Sequence, residues 1–305
     1  MTDSQRLARL ELPEGILDVV LDTDTFNEID DQFALAYLLR SDDRLECKAI
    51  YAAPFESRGY SAAEGMQRSY EEIFNVLKLC KREDKSNVVF KGSDRFLVDE
   101  KTPVVSDAAL DLIERSKSYG GDRPLYVIAI GAITNIASAI LLDPTIIERI
   151  AVIWLGGCAL HWENTKEFNM EHDIAAARIV MGSGVPFVQL PCAGVVSEFS
   201  TSIPTLRHWI GGANELCDYL CNIVEDFEKE MWDGTVWHKT IWDVTAVAWL
   251  LNDNDRFMRD RVVHTHIPQY DNTYSLSQDT HLMRYVWYIN RDPLFMDLFN
   301  KLKRN

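Results

Sequence analysis

The sequence lacks any apolar run approaching the roughly 18–20 residues of a membrane-spanning helix, so no membrane partner is expected. It is short of basic residues. Lys and Arg number 31 against 47 Asp and Glu, a net charge of −16. A protein that grips a phosphate backbone needs a basic face, so a nucleic-acid polymer is not expected as a partner. A nucleoside, which carries no phosphate, is not excluded. Cys47, Cys80, Cys158, Cys192, Cys217 and Cys221 contain no CxxC pair. Cys217 and Cys221, four apart on an expected helix, suit packing better than metal binding. The opening, MTDSQRLARLELPEG, is polar and unlike a signal peptide, so the thiols are expected to be reduced and the protein cytoplasmic. Repeats, low-complexity tracts and an obvious linker are missing too. The 305 residues, 47% of them apolar, therefore read as a single domain over 1–305, with residues 1–14 expected to be mobile.

What is present is concentrated between Ile16 and Arg40. An apolar run, Ile16 to Leu21, reads as a strand buried on both faces. Asp22 and Asp24 follow at its carboxyl end. The turn Thr25–Ile29 leads to Asp30 and Asp31, after which Phe33, Ala34, Tyr37 and Leu38 fall at helical spacing. Four carboxylates thus surround one strand-to-helix turn, and ligands of open α/β sheets bind outside the carboxyl ends of strands. Like charges so close repel, and some would take up protons unless a cation held them. An all-oxygen cluster is the ligand set of a hard cation, with calcium taking about 6–8 oxygens and magnesium about six. The plainer alternative is that Asp30 and Asp31 only cap the helix and complement its dipole.

The rest of the chain alternates strand and helix. Strands are expected at 47–52, 87–90, 125–130, 151–155 and 185–190. Helices are expected at 61–78, at 106–116 with Ser106 as N-cap, from Asn135 through about Leu142, and at 173–181. This rhythm predicts an α/β fold, a mostly parallel central sheet with helices on both faces. From Ser202 the pattern becomes mainly helical. One long helix is expected over 206–231 and another over 241–251 with Asp243 in its first turn. Strands are expected at 261–266 and 283–289, and a last helix at 294–302.

Several stretches together resemble the nucleoside hydrolase family, the inosine–uridine preferring N-ribohydrolases. They are Asp22-Thr23-Asp24 with Asp30-Asp31, the turn Gly131-Ala132-Ile133-Thr134-Asn135, Leu155-Gly156-Gly157, Glu167-Phe168-Asn169 before Asp173-Ile174-Ala175-Ala176-Ala177, and Trp242-Asp243-Val244 opening a helix. The family order is kept across about residues 16 to 252. The resemblance implies a calcium (Ca2+) site held by Asp24, Asp31, the Thr134 carbonyl and Asp243, with ribose hydroxyls and a water completing the shell. It implies Asp30 as the general base, Glu167 and Asn169 as ribose ligands, a ribonucleoside as the small-molecule partner, and a homodimer or homotetramer. The reaction it implies is hydrolysis of the N-glycosidic bond through an oxocarbenium-like transition state.

Three departures fall around the base. The turn between Asp24 and Asp30 holds five residues where the family commonly has three, so Asn27 and Glu28 either enter the site or face solvent. The histidine before the last aspartate is Trp242, which stacks on flat rings but gives no titrating proton. His238 and Lys239 just upstream are the substitutes the sequence offers. The family's asparagine after strand two is missing, and Glu56 and Arg58 nearby either point inward or form an exposed ion pair. Among Trp162, Trp232, Trp237 and Trp242, a stacking wall competes with ordinary core packing. Two rival readings are weaker. A haloacid-dehalogenase-like phosphotransferase wants Thr or Val two places after the second Asp, where Phe26 stands. A calcium-dependent ribonucleoside binder without catalysis would have no need of Asp30.

Overall fold

The computed structural model describes residues 1–275, 277 and 279–304. The strands are β1 (Leu17–Thr23), β2 (Leu45–Ala52), β3 (Val89–Lys91), β4 (Leu125–Ala129), β5 (Ile150–Leu155), β6 (Phe187–Leu190), β7 (Ser200–Thr201), β8 (Lys239–Thr240), β9 (Met258–His264) and β10 (Leu282–Ile289). The helices are α1 (Asp3–Ala8), α2 (Asp31–Leu39), α3 (Ala62–Leu79), α4 (Asp107–Ser116), α5 (Thr134–Leu142), α6 (Phe168–His172), α7 (Ile174–Gly182), α8 (Ile203–Trp209), α9 (Glu215–Met231), α10 (Val244–Trp249) and α11 (Arg291–Leu302).

Eight strands form one sheet in the order β3-β2-β1-β4-β5-β6-β10-β9. Neighbours pair in parallel except β9, which runs antiparallel to β10 at the edge. Strand β1 is covered on both faces, as its contiguous apolar residues require. Leu21 packs with Phe33 and Ile128 on one side, and Val20 packs with Val127 and Trp154 on the other. Each such side chain fully removed from water contributes on the order of 1.5–3 kcal/mol. The chain runs from β1 outward to β2 and β3, then returns to the other side of β1 with β4. The connections leaving the carboxyl ends of β1 and β4 therefore diverge, and a crevice opens between them.

The structure departs from the periodicity reading in a few places. The expected helix over 206–231 is two. Gly211 and Gly212 end α8, Gly212 in the left-handed region at φ 74°, and the Asn214 side chain caps α9 by accepting from the Cys217 amide. Leu206, Trp209 and Ile210 before the break and Leu216, Leu220 and Ile223 after it carry a helical period through it, which hid it. The segment that follows His161 closes into α6, capped by Glu167. The helix expected over 241–251 is shortened to α10, with Asp243 at its N-cap. The first residues, expected to be mobile, form α1 with a Thr2–Gln5 capping box, and Asp3 accepts from the Leu282 amide on β10. No helix among the described residues is long and apolar enough to cross a membrane.

Candidate active site

A cavity of about 250 Å³ lies at the carboxyl ends of the central strands. Asp24 reaches it from the end of β1, Ile130 from β4, Leu155 from β5 and Cys192 from β6. Glu28, Asp30 and Asp31 enter from the β1–α2 turn, Glu167, Phe168 and Asn169 from the start of α6, and Trp242 and Asp243 from the start of α10. The site thus gathers six separate segments at the crevice beside β1.

Asp30, Asp31 and Asp243 are buried, and one carboxylate oxygen from each lies within 4.8 Å of the others. Asp30 occupies the N-cap position of α2 but makes no side-chain cap hydrogen bond, so helix capping does not account for it. Asp31 accepts from the Thr23 hydroxyl at 2.5 Å. Asp24 is 2% exposed and its Oδ2 has no hydrogen-bond partner. Burial, reinforced by the charge of Asp30, raises the Asp31 carboxyl to about 7. Burial and the charge of Asp31 push Asp24 well above the usual carboxylate range, and burial with Asp30, Asp31 and Asp24 does the same to Asp243. A buried, oxygen-only group that resists carrying its own charge, with an unpartnered oxygen among it, fits a hard divalent cation.

The approach of Asp24 depends on Gly131. A Cβ there would stand 2.9 Å from Asp24 Oδ1 and 3.2 Å from the Ala53 Cβ, closer than a packed wall allows. Gly131→Ala is expected to displace the Asp24 carboxylate, costing about 1–3 kcal/mol of stability and weakening any divalent-cation binding read in a calorimetric titration. Unchanged divalent-cation affinity in that variant would remove Asp24 from the cation site. Asp22, the first acid of the Asp-Thr-Asp motif, does not line the cavity. Its Oδ1 accepts from Asn135 Nδ2 at 2.7 Å, which ties β1 to the turn after β4, and burial raises its carboxyl to about 7.

Glu167 and Asn169 meet the cavity with their polar groups already oriented. Glu167 accepts from the amides of Gly157, Asn169 and Met170, at 2.7, 3.0 and 3.1 Å. Asn169 donates through Nδ2 to the carbonyls of Ile130 and Leu155, which end β4 and β5, so its Oδ1 is the atom left to accept from a ligand. Phe168, 38% exposed, stands between them at the wall.

Of the residues that distinguish this chain, Trp242, Asn27 and Glu28 line the cavity, while His238, Glu56 and Thr134 do not. His238 is exposed on the segment before β8. Glu56 turns to the start of α3, accepting from the Ala62 amide. Thr134 opens α5 and donates its hydroxyl to Asp173 at 2.7 Å. Arg58 reaches the Asn27 carbonyl, and Ser57 donates to Asn27 Oδ1 at 2.9 Å, so the amide nitrogen of Asn27 is the group left for the cavity. Of the other tryptophans, Trp162 and Trp232 are exposed and Trp237 packs against the core.

Lys239 has a role that linear spacing does not reveal. Its side chain is buried, pairs with Glu28, and lies 3.4 Å from Asp30. Burial works against its charge, yet Asp30 and Glu28 hold the ammonium up at about 12. It therefore sits behind the cavity as a fixed cation. Lys239→Met is expected to cost about 3–5 kcal/mol, because Asp30 is left buried without its counter-charge. Thermal unfolding reads this directly, and an unchanged Tm would show that the pair contributes nothing.

Comparison with known proteins agrees with this geometry. A family model described as inosine-uridine preferring nucleoside hydrolase matches residues 19–282. The pyrimidine-specific ribonucleoside hydrolase RihB of Escherichia coli O157:H7 is 26% identical over 221 residues, covering 64% of this chain and 69% of that protein. The purine-preferring ribonucleoside hydrolase from Gardnerella vaginalis superposes with a TM-score of 0.75 at 18% identity, over 94% of this chain and 98% of that one. The type III effector protein XopQ, solved with adenosine diphosphate ribose, gives 0.71 at 15% identity over 99% and 98%. At those identities the two structural likenesses speak for the fold.

Proposed function

The chain belongs to the inosine-uridine preferring nucleoside hydrolase family and is an enzyme of that class, and from this premise we propose that it cleaves the N-glycosidic bond of a ribonucleoside in a calcium-dependent reaction, giving free base and ribose. The observation that carries the reading is that the fold buries acids at the switch point without fully satisfying them. Asp30 stands at an N-cap without capping, and Asp24 keeps an oxygen unpartnered.

Asp24, Asp31 and Asp243 are the side chains that would hold the cation, with the Thr134 carbonyl as the further ligand that the family pattern implies. A calcium ion bound there would supply Lewis acidity toward the sugar diol and an adjacent water. The protein does the rest. Asn169 Oδ1 and the Glu167 carboxylate accept from ribose hydroxyls and fix the ring. Asp30, paired with Lys239 and lining the cavity, takes the proton of the attacking water. Cleavage passes through an oxocarbenium-like ribosyl cation, which the surrounding carboxylates stabilise electrostatically. We further propose that the enzyme is cytoplasmic and acts in nucleoside salvage as a homodimer or homotetramer.

The test is a reducing-sugar assay over purine, pyrimidine and modified ribonucleosides, with and without a chelator. Free ribose that disappears on chelation is the expected result. Saturable, calcium-dependent nucleoside binding with no ribose from any substrate would make the protein a binder instead.

A further inference from the structure

The cavity wall holds six carboxyl groups, those of Asp24, Glu28, Asp30, Asp31, Glu167 and Asp243, and no Lys, Arg or His among the described residues. The proton donors the sequence offered in place of the family histidine are elsewhere. His238 is exposed away from the wall. Lys239 is turned into its ion pairs with Glu28 and Asp30. His172 lies behind Phe168, its two ring nitrogens against the Phe168 and Glu56 carbonyls at 2.7 and 3.0 Å. Of the carboxyls outside the cation-binding group, Glu28 is paired with Lys239, and Glu167 is held by the amides of Gly157, Asn169 and Met170. Flat apolar surface comes from Trp242 and Phe168.

These features set a condition on the leaving group. When a neutral nucleoside loses its base, the electron pair of the broken bond leaves an anion on the ring unless an acid protonates it, and that acid typically contributes about 10²–10⁴-fold in rate. A base that already carries a positive charge needs no acid, because the same electron pair neutralises it. An aromatic cation is also what tryptophan and phenylalanine faces beside a carboxylate bind well.

We propose that the preferred substrates are ribosides whose base carries a fixed positive charge, N-ribosylpyridinium ions being the simplest class; this rests on the reading of the chain as a ribosyl hydrolase. In the step, the water oxygen bonds to C1′ as the C1′–N bond breaks. The electron pair goes to the ring nitrogen, which leaves as a neutral pyridine. One water proton passes to the Asp30 carboxylate and the other stays on the new anomeric hydroxyl. A cation, a water and a carboxylate become a neutral base, ribose and a carboxylic acid, so charge and atoms balance.

The experiment compares kcat/KM of the calcium-loaded protein on N-ribosylpyridinium and its carboxamide, on uridine and inosine, and on 4-nitrophenyl riboside. The last has a leaving group that needs no proton and no positive charge. Pyridinium ribosides are expected to exceed uridine and inosine by about 10²-fold or more. Trp242→Ala and Glu28→Gln are expected to raise KM for the pyridinium substrates more than for the nitrophenyl riboside. Trp242→His is expected to raise turnover of uridine or inosine only. Uridine or inosine matching the pyridinium ribosides overturns the proposal while leaving the hydrolase reading intact. So does cleavage of the nitrophenyl riboside with none of the pyridinium. Failure on every riboside overturns the hydrolase reading, and the proposal with it.

Discussion

Asp30→Asn is expected to lower kcat for riboside hydrolysis by about 10²–10⁴-fold while calcium still titrates into the protein. Asparagine keeps the shape of aspartate but does not accept a proton at neutral pH, so the substitution removes the base and little else. Lys239 retains Glu28 as a charged partner, and the backbone at position 30 is ordinary right-handed helix, so the fold is expected to survive. Reducing-sugar release gives kcat and KM, and calorimetry on the same preparation gives the calcium affinity. The loss belongs in kcat, because proton abstraction is made in the transition state and not on binding. A variant that turns over within about threefold of the parent would mean that the water is activated by another group, and Asp30 would become a purely electrostatic partner of Lys239.

The sheet, and the acids beside β1, were legible before any coordinates because their signals are local. The contiguous Val19, Val20 and Leu21 demand burial on two faces, and an acid pair on each side of a turn is visible within a dozen residues. What escaped the reading is contact between segments remote in the chain. The pairing of Lys239 with Glu28 and Asp30 joins β8 to the β1–α2 turn, and nothing in the spacing of either segment announces it. The same holds for Asn169, whose family match suggested a ribose ligand but not that its amide nitrogen is committed to the ends of β4 and β5. Phe168 and Cys192 line the cavity although neither carries a motif of its own; Phe168 was readable only as the middle of Glu-Phe-Asn. The split between α8 and α9 was available in Gly211-Gly212 and was masked by the apolar period around it.

The stability of the protein is expected to fall as pH rises from about 5 to 8 in chelator, and calcium is expected to restore the part that belongs to the acidic cluster. The sign follows from the direction of the shifts. Asp22 is fully buried and its carboxyl is raised to about 7, above the 3.8 of an unfolded chain. Below 3.8 both states are protonated and its favourable contribution is fully present. As pH rises toward and through 7 the unfolded state is already ionised, and the folded state must ionise a buried group, so stability is lost. For Asp22 alone the loss between pH 5 and 8 is on the order of 2–3 kcal/mol, or about 5 °C in Tm for a chain of this size. Asp31, raised to about 7, and Asp24 and Asp243, both pushed up by burial and by one another, act in the same direction. The two sources separate experimentally. Calcium at about a hundred times its Kd contributes roughly 2.7 kcal/mol by linkage and favours the ionised cluster, so it acts where Asp24, Asp31 and Asp243 are deprotonated. It leaves Asp22 untouched, because Asp22 faces Asn135 and not the cavity. Asp22→Asn keeps an oxygen for the Asn135 amide and removes the buried charge, so it is expected to raise Tm at pH 8 more than at pH 5. Thermal unfolding of the parent and this variant at both pH values, in calcium and in chelator, gives all the terms. A parent protein whose Tm in chelator is flat or rises between pH 5 and 8 would mean that the buried acids are compensated within the fold, and the case for a cation among them would lose its electrostatic basis.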